Sequence, residues 1–423
     1  MSDTATESAA IPVPEPDLTP REIIARAAAM RETLRERQAD TEQRTFYSEE
    51  THKAFTDAGF YRILQPRRFG GYEFDLPTYY RVVMELTRGD ISAGWCFCLG
   101  AAHVLQVSSM YNEQAQAEFF GPDGHFICAS FGFPVGVAEP RDGGYVLDGT
   151  FPYASGIPYS THFMGQTLLN PNDMTDPGLM FVIPAEQFER MNDWGDVLGL
   201  IGSGSHSVKI EKQHIPEHWT VREIMVDLQV DGGTPGSRLH NNPMYAGRTL
   251  GFFGGEFSAI MTGAAYAALD EYENLIRTKT FAWDPRMKRM ELVDYQRRMG
   301  LAMAQIGCAE AAAVQVGEQW MELARRNVEE GVPYSAADDG RLQLVADHAA
   351  RVAWKTMEDI LYPTAGSSSS RDGQRMQRYW RDMSTYWSHN TPAQRELLAT
   401  RLGRMRLGLP LDLPGMLPVR NSG

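Results

Sequence analysis

Hydrophobic positions recur every three or four residues through the first 125 residues, the period of a buried helix face. Thr19-Pro20-Arg21-Glu22 is a capping box with proline at the first helical position, and Ile23, Ala27, Met30 and Leu34 follow at helix spacing. A second helix is predicted to start after Ser48 and to stop at Gly59, where a left-handed cap needs no Cβ. A third begins near Pro77 and stops at Gly89. From Ile91 to Met110 the chain is apolar almost all round, with His103 and Gln106 among few polar interruptions, as in a helix buried on several sides.

Beyond residue 126 the period shortens. Apolar runs at 126–128, 145–147, 162–169, 179–183 and 207–210 alternate with turn signals such as Asp142-Gly143-Gly144 and Asp148-Gly149. These predict an antiparallel β unit of about 100 residues. A Gly- and Pro-rich linker is expected at 231–242, and helical periodicity returns from Tyr245. Small residues including Gly254, Gly255, Ala259 and Gly263 let one long helix pack closely, and 288–330, 336–362 and 374–404 are three further long helical stretches. Four such helices predict a bundle. The expected layout is a disordered arm (1–17), an N-terminal helical domain (18–125), a middle antiparallel β-barrel domain (126–235), a C-terminal four-helix bundle (243–405) and an extended tail (406–423). The fold class is α+β, mainly α. βαβ alternation is lacking, which disfavours a doubly wound sheet.

Composition narrows the function classes. Of 423 residues, 43% are hydrophobic and 22% charged, the balance of a globular chain with a large core. Fifty-four acidic against 40 basic residues give a net charge of -14, so nucleic acid and anionic membrane are poor partners. Cys96, Cys98, Cys128 and Cys308 have neither zinc-ligand nor disulfide-framework spacing, and they predict reduced core thiols and a cytoplasmic location. The start of the chain lacks the basic and apolar regions of a signal peptide, and no run of 18 apolar residues suggests a membrane span. Ten histidines are scattered without a tight ligand cluster, so no metal site is expected. The glycines at 199–204 lie inside the β unit and not between a strand and a helix, which removes a dinucleotide or P-loop reading.

Six local strings then stand in a recognisable order: 58–71 (Ala-Gly-Phe-Tyr-Arg-Ile-Leu-Gln-Pro-Arg-Arg-Phe-Gly-Gly), Ser-Ala-Gly-Trp (92–95), Ala-Ala-His (101–103), Gly-Thr-Phe-Pro-Tyr-Ala-Ser-Gly (149–156), Leu-Gly-Leu-Ile-Gly-Ser-Gly-Ser (198–205) and Gln-Arg-Tyr-Trp-Arg-Asp (377–382). With them the chain resembles the acyl-CoA dehydrogenase superfamily over about residues 20–405. Within it, the resemblance is to the oxygenase components of two-component flavin-dependent aromatic monooxygenases, such as 4-hydroxyphenylacetate 3-hydroxylases and steroid-ring hydroxylases. The dehydrogenase branch carries a glutamate base late in the bundle; here that region reads Tyr362-Pro-Thr-Ala-Gly-Ser-Ser-Ser-Ser-Arg371, the monooxygenase variant. Ser203 and Ala154 depart from the threonine and serine many members carry, and both swaps keep the site small.

The resemblance implies an acyl-CoA dehydrogenase-like fold, O2 and reduced FMN or FAD as diffusible co-substrate, a separate NAD(P)H:flavin reductase, a small aromatic substrate and a homotetramer. It implies reaction through a flavin C4a-hydroperoxide that hydroxylates a phenolic ring. His103 is placed on the substrate hydroxyl as base, although a histidine on an apolar helix is ordinarily a core residue bonded to a carbonyl. Ser130 is its partner on the same hydroxyl and lies close to the flavin. Ser155 bonds the flavin N5 region, Trp95 walls the flavin, and Cys128 and Tyr153 are further flavin-facing positions. Arg277 holds the flavin phosphate, often across a subunit interface. Ser367 and Ser368 close on the flavin, His389 and Asn390 flank it with His389 in a catalytic role, and Arg248 anchors a substrate carboxylate. The competing readings are an N- or S-oxygenase on the same fold, an acyl-CoA dehydrogenase, and a non-catalytic bundle.

Overall fold

The computed structural model describes residues 10–411 apart from 171, 174 and 175; the expectations for residues 1–9 and for the tail beyond 411 lie outside them. The N-terminal layer comprises α1 (Pro20–Ala29), α2 (Arg31–Arg44), α3 (Glu49–Asp57), α4 (Leu76–Gly89), α5 (Ile91–Ala101), α6 (Val104–Met110) and α7 (Glu113–Phe120). The capping box of α1 forms as expected, Thr19 accepting from Glu22 N–H and Glu22 from Thr19 N–H. Residues 10–17, expected within a disordered arm, instead lie against this layer. Ile11 N–H donates to the Arg68 carbonyl at 2.9 Å, and Glu15 pairs with Arg26.

The helix expected over Ile91–Met110 forms as α5 and α6 in succession, with a one-turn irregularity between them. Ala102 and His103 keep right-handed backbone (φ -66°, ψ -40° and φ -69°, ψ -7°), so the junction is a tightened turn, and the His103 side chain does not cap α6. The stretch has the length and composition of a membrane span, but 94% of it is buried inside the protein; Val293–Glu329 passes the same test and is 33% buried.

The middle of the chain holds β1 (Cys128–Pro134), β2 (Val137–Arg141), β3 (Gly144–Phe151), β4 (His162–Thr167), β5 (Leu179–Pro184), β6 (Glu189–Arg190), β7 (Val208–Pro216) and β8 (Thr220–Val221). The expected antiparallel barrel is not what forms. There are two separate four-stranded sheets, ordered β1-β4-β5-β8 and β2-β3-β7-β6, and neither closes. The edge strands β6 and β8 have two residues each, too few to ladder one sheet onto the other. The β1–β4 pair is parallel. The sheets are joined by packing: Phe151 stacks edge-on to Phe163 at 5.3 Å and to Phe181 at 5.6 Å, among buried Val208 and Ile210.

The expected linker at 231–242 contains a capped helix, α8 (Pro235–His240). The C-terminal part is α9 (Thr249–Thr278), α10 (Val293–Glu329), α11 (Ala336–Lys355), a wider π-helical turn over Thr356–Leu361, α12 (Tyr362–Ala365), α13 (Arg375–Thr385), α14 (Asn390–Ala393) and α15 (Arg395–Arg406). Small residues let α9 run through the centre. A β-carbon on Gly263 would stand 2.5 Å from the Met84 carbonyl of α4, and one on Gly255 would meet the Tyr80 ring. The fourth long helix, expected over 374–404, is broken between Thr385 and Gln394, and His389 sits at the break with extended backbone. Both helix breaks therefore carry a histidine toward the seam between the bundle and the β unit.

Candidate active site

His103 Nδ1 lies 2.9 Å from the Leu99 carbonyl and 2.8 Å from the Cys128 carbonyl. Carbonyls only accept, so Nδ1 carries the hydrogen and the neutral ring presents Nε2 as an acceptor. Nε2 faces Ser130 Oγ on β1 at 2.7 Å. Burial lowers the His103 pKa to about 4, against the opposing pull of the two carbonyls, so the ring is neutral at neutral pH. This is the tautomer and charge state of a general base aimed at whatever Ser130 also touches.

A second polar group stands beside it. Trp95 Nε1 donates to Ser155 Oγ at 3.1 Å, Ser155 and Ser205 hydroxyls meet at 2.7 Å, and Ser205 and Ser203 meet at 2.7 Å. Ser155 is presented by a tight loop in which Tyr153 (φ 56°) and Gly156 (φ 84°) are both left-handed. A β-carbon at Gly156 would stand 2.6 Å from the Cys96 carbonyl, so only glycine fits. The 198–205 loop is held from the bundle: Leu200 N–H donates to Asp382 Oδ1 at 2.7 Å, and Arg381 donates to the Leu198 carbonyl at 3.0 Å. Burial raises the Asp382 carboxyl to about 7.

His389 Nδ1 accepts from Thr391 N–H at 3.2 Å, which leaves its hydrogen on Nε2 as a donor. Its ring lies 4.7 Å from Phe257 and 5.7 Å, edge-on, from Trp95, and burial lowers its pKa to about 4.

One cavity of about 560 Å³ collects these groups, lined by Trp95, His103, Ser130, Tyr153, Ser155, His389 and Asn390. Its walls are Phe131, Phe253, Phe257 and Met225, and Tyr153, 65% exposed, stands at the mouth. The structure does not bring every expected residue here. Cys128 contributes its carbonyl to His103, while its thiol is buried and turned to the Ala129 carbonyl. Arg248, expected to anchor a substrate carboxylate, is buried elsewhere: its Nε donates to the Tyr334 carbonyl, and its guanidinium lies 4.0 Å from Asp231. Arg277 ends α9 at the surface, paired with Glu273. Ser367 and Ser368 form an exposed turn after Gly366. Ser205, Trp194, Phe253 and Gln343 line the cavity without having stood out in the sequence. Of these only Ser205 had a signal, as the last residue of the 198–205 string.

Flat aromatic walls and neutral donors suit a planar, hydrogen-bonding heterocycle. The hydroxyl chain from Trp95 to Ser203 and the His389 Nε2–H are groups that would hold a flavin ring. Among the described residues there is no group of three or more His, Cys, Asp or Glu able to hold a metal.

The sequence profile "Acyl-CoA dehydrogenase, N-terminal domain" matches residues 21–122, and "Acyl-CoA dehydrogenase, C-terminal domain" matches residues 256–393, together more than half of the chain. The chain belongs to the acyl-CoA dehydrogenase superfamily. Within this superfamily it groups with flavin-dependent oxygenases. It is 26% identical over 402 residues to the pigment production hydroxylase of Rhodococcus sp. (strain ATCC 21145), covering 94% of this chain and 99% of that protein. It is 25% identical over 397 residues to the flavin-dependent monooxygenase, oxygenase subunit HsaA, of Rhodococcus jostii (strain RHA1), covering 91% and 98%. The fold matches the crystal structure of the HsaA monooxygenase from M. tuberculosis with a TM-score of 0.81 at 22% identity, over 93% of this chain and 98% of that one. The acyl-CoA dehydrogenase-like arrangement of helical ends around small sheets is thus shared over 93% of this chain.

Proposed function

We propose that this chain is the oxygenase component of a two-component flavin monooxygenase. It hydroxylates a phenolic ring with O2 and reduced FMN or FAD supplied by a separate NAD(P)H:flavin reductase. The observation that carries this reading is the neutral His103, whose Nε2 is paired with Ser130 and opens on the same cavity as the Trp95–Ser155–Ser205 chain. When bound, reduced flavin would supply the two electrons that activate O2, one oxygen atom of which goes to the ring and the other to water.

The protein's own part follows from its atoms. Ser130 Oγ and His103 Nε2 take a phenol hydroxyl between them, and His103 withdraws its proton. The phenolate oxygen then feeds electron density into the ring carbon to be oxygenated. The Leu99 and Cys128 carbonyls hold the Nδ1–H and stabilise the imidazolium that forms. Ser155 and His389 Nε2–H hold the flavin side of the cavity, with Tyr153 and Asn390 at its rim and Trp95 as its wall. The apolar walls exclude water, which would otherwise divert the activated oxygen to hydrogen peroxide. Among the residues lining the cavity there is no carboxylate, the group an acyl-CoA dehydrogenase uses as its base.

The reading extends to a cytoplasmic homotetramer. Arg277 stands at the exposed end of α9, outside the cavity of its own chain, and in this reading it would meet the flavin phosphate of a neighbour. Ser367 and Ser368 would complete that outer flavin contact. The test is direct. The purified chain should oxidise NADH negligibly with added flavin, and should form hydroxylated product once a flavin reductase is supplied. NADH oxidation by the chain without a reductase would end the two-component reading.

A further inference from the structure

Gln343 on α11 is 2% exposed, yet its amide has no hydrogen-bond partner among the described residues and opens on the cavity. It reaches across to α9 beside Gly254, where a β-carbon would stand 2.7 Å from Gln343 Oε1. The missing side chain at Gly254 is what leaves the amide its room. The unpaired amide faces the cavity, where it offers a donor and an acceptor to a group bound there.

The rest of the lining says what kind of group. None of the described residues around the cavity is Lys, Arg, Asp or Glu. The nearby cation, Arg248, is committed to the Tyr334 carbonyl and faces Asp231. The histidines that do line it, His103 and His389, are neutral and already hold their Nδ1 partners. Apolar side chains share the lining with them: Phe253 lies 5.6 Å from the His103 ring, with Leu250 one helical turn earlier on α9. An anionic ring substituent placed there would be buried without a counter-charge.

We infer that the substrate is an uncharged phenol. Its hydroxyl meets His103 and Ser130, and a second, neutral polar substituent pairs with the Gln343 amide. Gln343 is then the specificity-determining residue that accepts an amide, ketone or hydroxyl and rejects a carboxylate. This rests on the oxygenase reading for the orientation of the phenol.

Binding of three matched probes, a naphthol, its ring carboxamide and its ring carboxylate, tests the inference without turnover. Calorimetry is run on the full chain with excess oxidised FMN and, separately, FAD. The carboxamide should bind at least about 100-fold more tightly than the isosteric carboxylate. Gln343→Leu should weaken the carboxamide about tenfold and change the unsubstituted naphthol less than about twofold. Gln343→Lys should reverse the order and favour the carboxylate. Equal binding of carboxamide and carboxylate by the unaltered chain would overturn the inference, and that comparison needs no variant to fold. A Gln343→Leu loss shared equally by naphthol and carboxamide would also overturn it, because Gln343 would then be wall and nothing more. If the predicted binding order holds but no product forms with reductase, reduced flavin and O2, the oxygenase reading fails and the assignment of Gln343 stands.

Discussion

His103 is defined by what its two nitrogens can reach. Two carbonyls fix the hydrogen on Nδ1, and burial lowers the pKa to about 4, so the acceptor Nε2 stays available well into acid. A base is lost when it is protonated, and a lowered pKa moves that loss to lower pH. The acid limb of the hydroxylation rate should therefore lie below the usual histidine value of about 6.5 and approach 4. A pH profile with its inflection at 6.5 would contradict this environment. His103 and Ser155 lie in recognisable strings and His389 follows one, whereas Ser130 came only with the resemblance; all four line the cavity. Gln343 was not legible in the sequence, because its role arises only where α11 meets α9. Arg248 misled because sequence places an arginine near the site but does not say which carbonyl its guanidinium will choose.

At the scale of elements, the site exists where regular structure stops. α5 and α6 read as one apolar helix because Ala101, Ala102 and His103 all suit a helix, and nothing local marks the break. At this junction His103 Nδ1 bonds both to the Leu99 carbonyl of α5 and to the Cys128 carbonyl on the neighbouring strand β1. The barrel expectation failed, since alternation predicts strands but not that β6 and β8 would be too short to join the two sheets. The 198–205 loop depends on α13 through Asp382, which accepts the Leu200 N–H. Asp382→Ala should leave that buried N–H unpaired and destabilise the fold by about 1–3 kcal/mol. It should also lower activity by loosening Ser203 and Ser205, while Asp382→Asn, which keeps an acceptor oxygen, should lose much less of both. Equal melting temperatures for Asp382→Ala and the unaltered chain would show that the loop holds itself.

For the whole molecule, burial sets the pH range of stability. His52, His103, His162, His240 and His389 are each lowered to about 4 by desolvation. The unfolded chain binds these protons near pH 6.5 and the native state does not, so stability is lost as pH falls from about 6.5 toward 4. Asp90 and Asp339, raised to about 6, and Asp382, raised to about 7, act in the opposite sense. Their contribution is present below the unfolded carboxyl value and is lost as pH rises through 6 to 7. Melting temperature should peak between about pH 6 and 7 and fall on both sides; a steady rise on acidification from 6.5 to 4.5 would contradict the burial of the histidines. The proposed tetramer belongs to this scale as well. Light scattering should give four chains per particle, and Arg277→Ala should weaken flavin binding without altering the binding of phenol. A monomer that binds reduced flavin normally would remove Arg277 from the site.

The partition of oxygen between product and hydrogen peroxide tests the central claim most directly. With reductase, reduced flavin, O2 and a phenol substrate, the unaltered chain should put most of its consumed oxygen into hydroxylated product. His103→Asn should still consume oxygen and bind flavin. It should form product about 10²–10⁴-fold more slowly and release hydrogen peroxide in its place. Product formation by His103→Asn at the unaltered rate and with equal coupling would contradict the account, and His103 would then be a core histidine satisfied by two carbonyls.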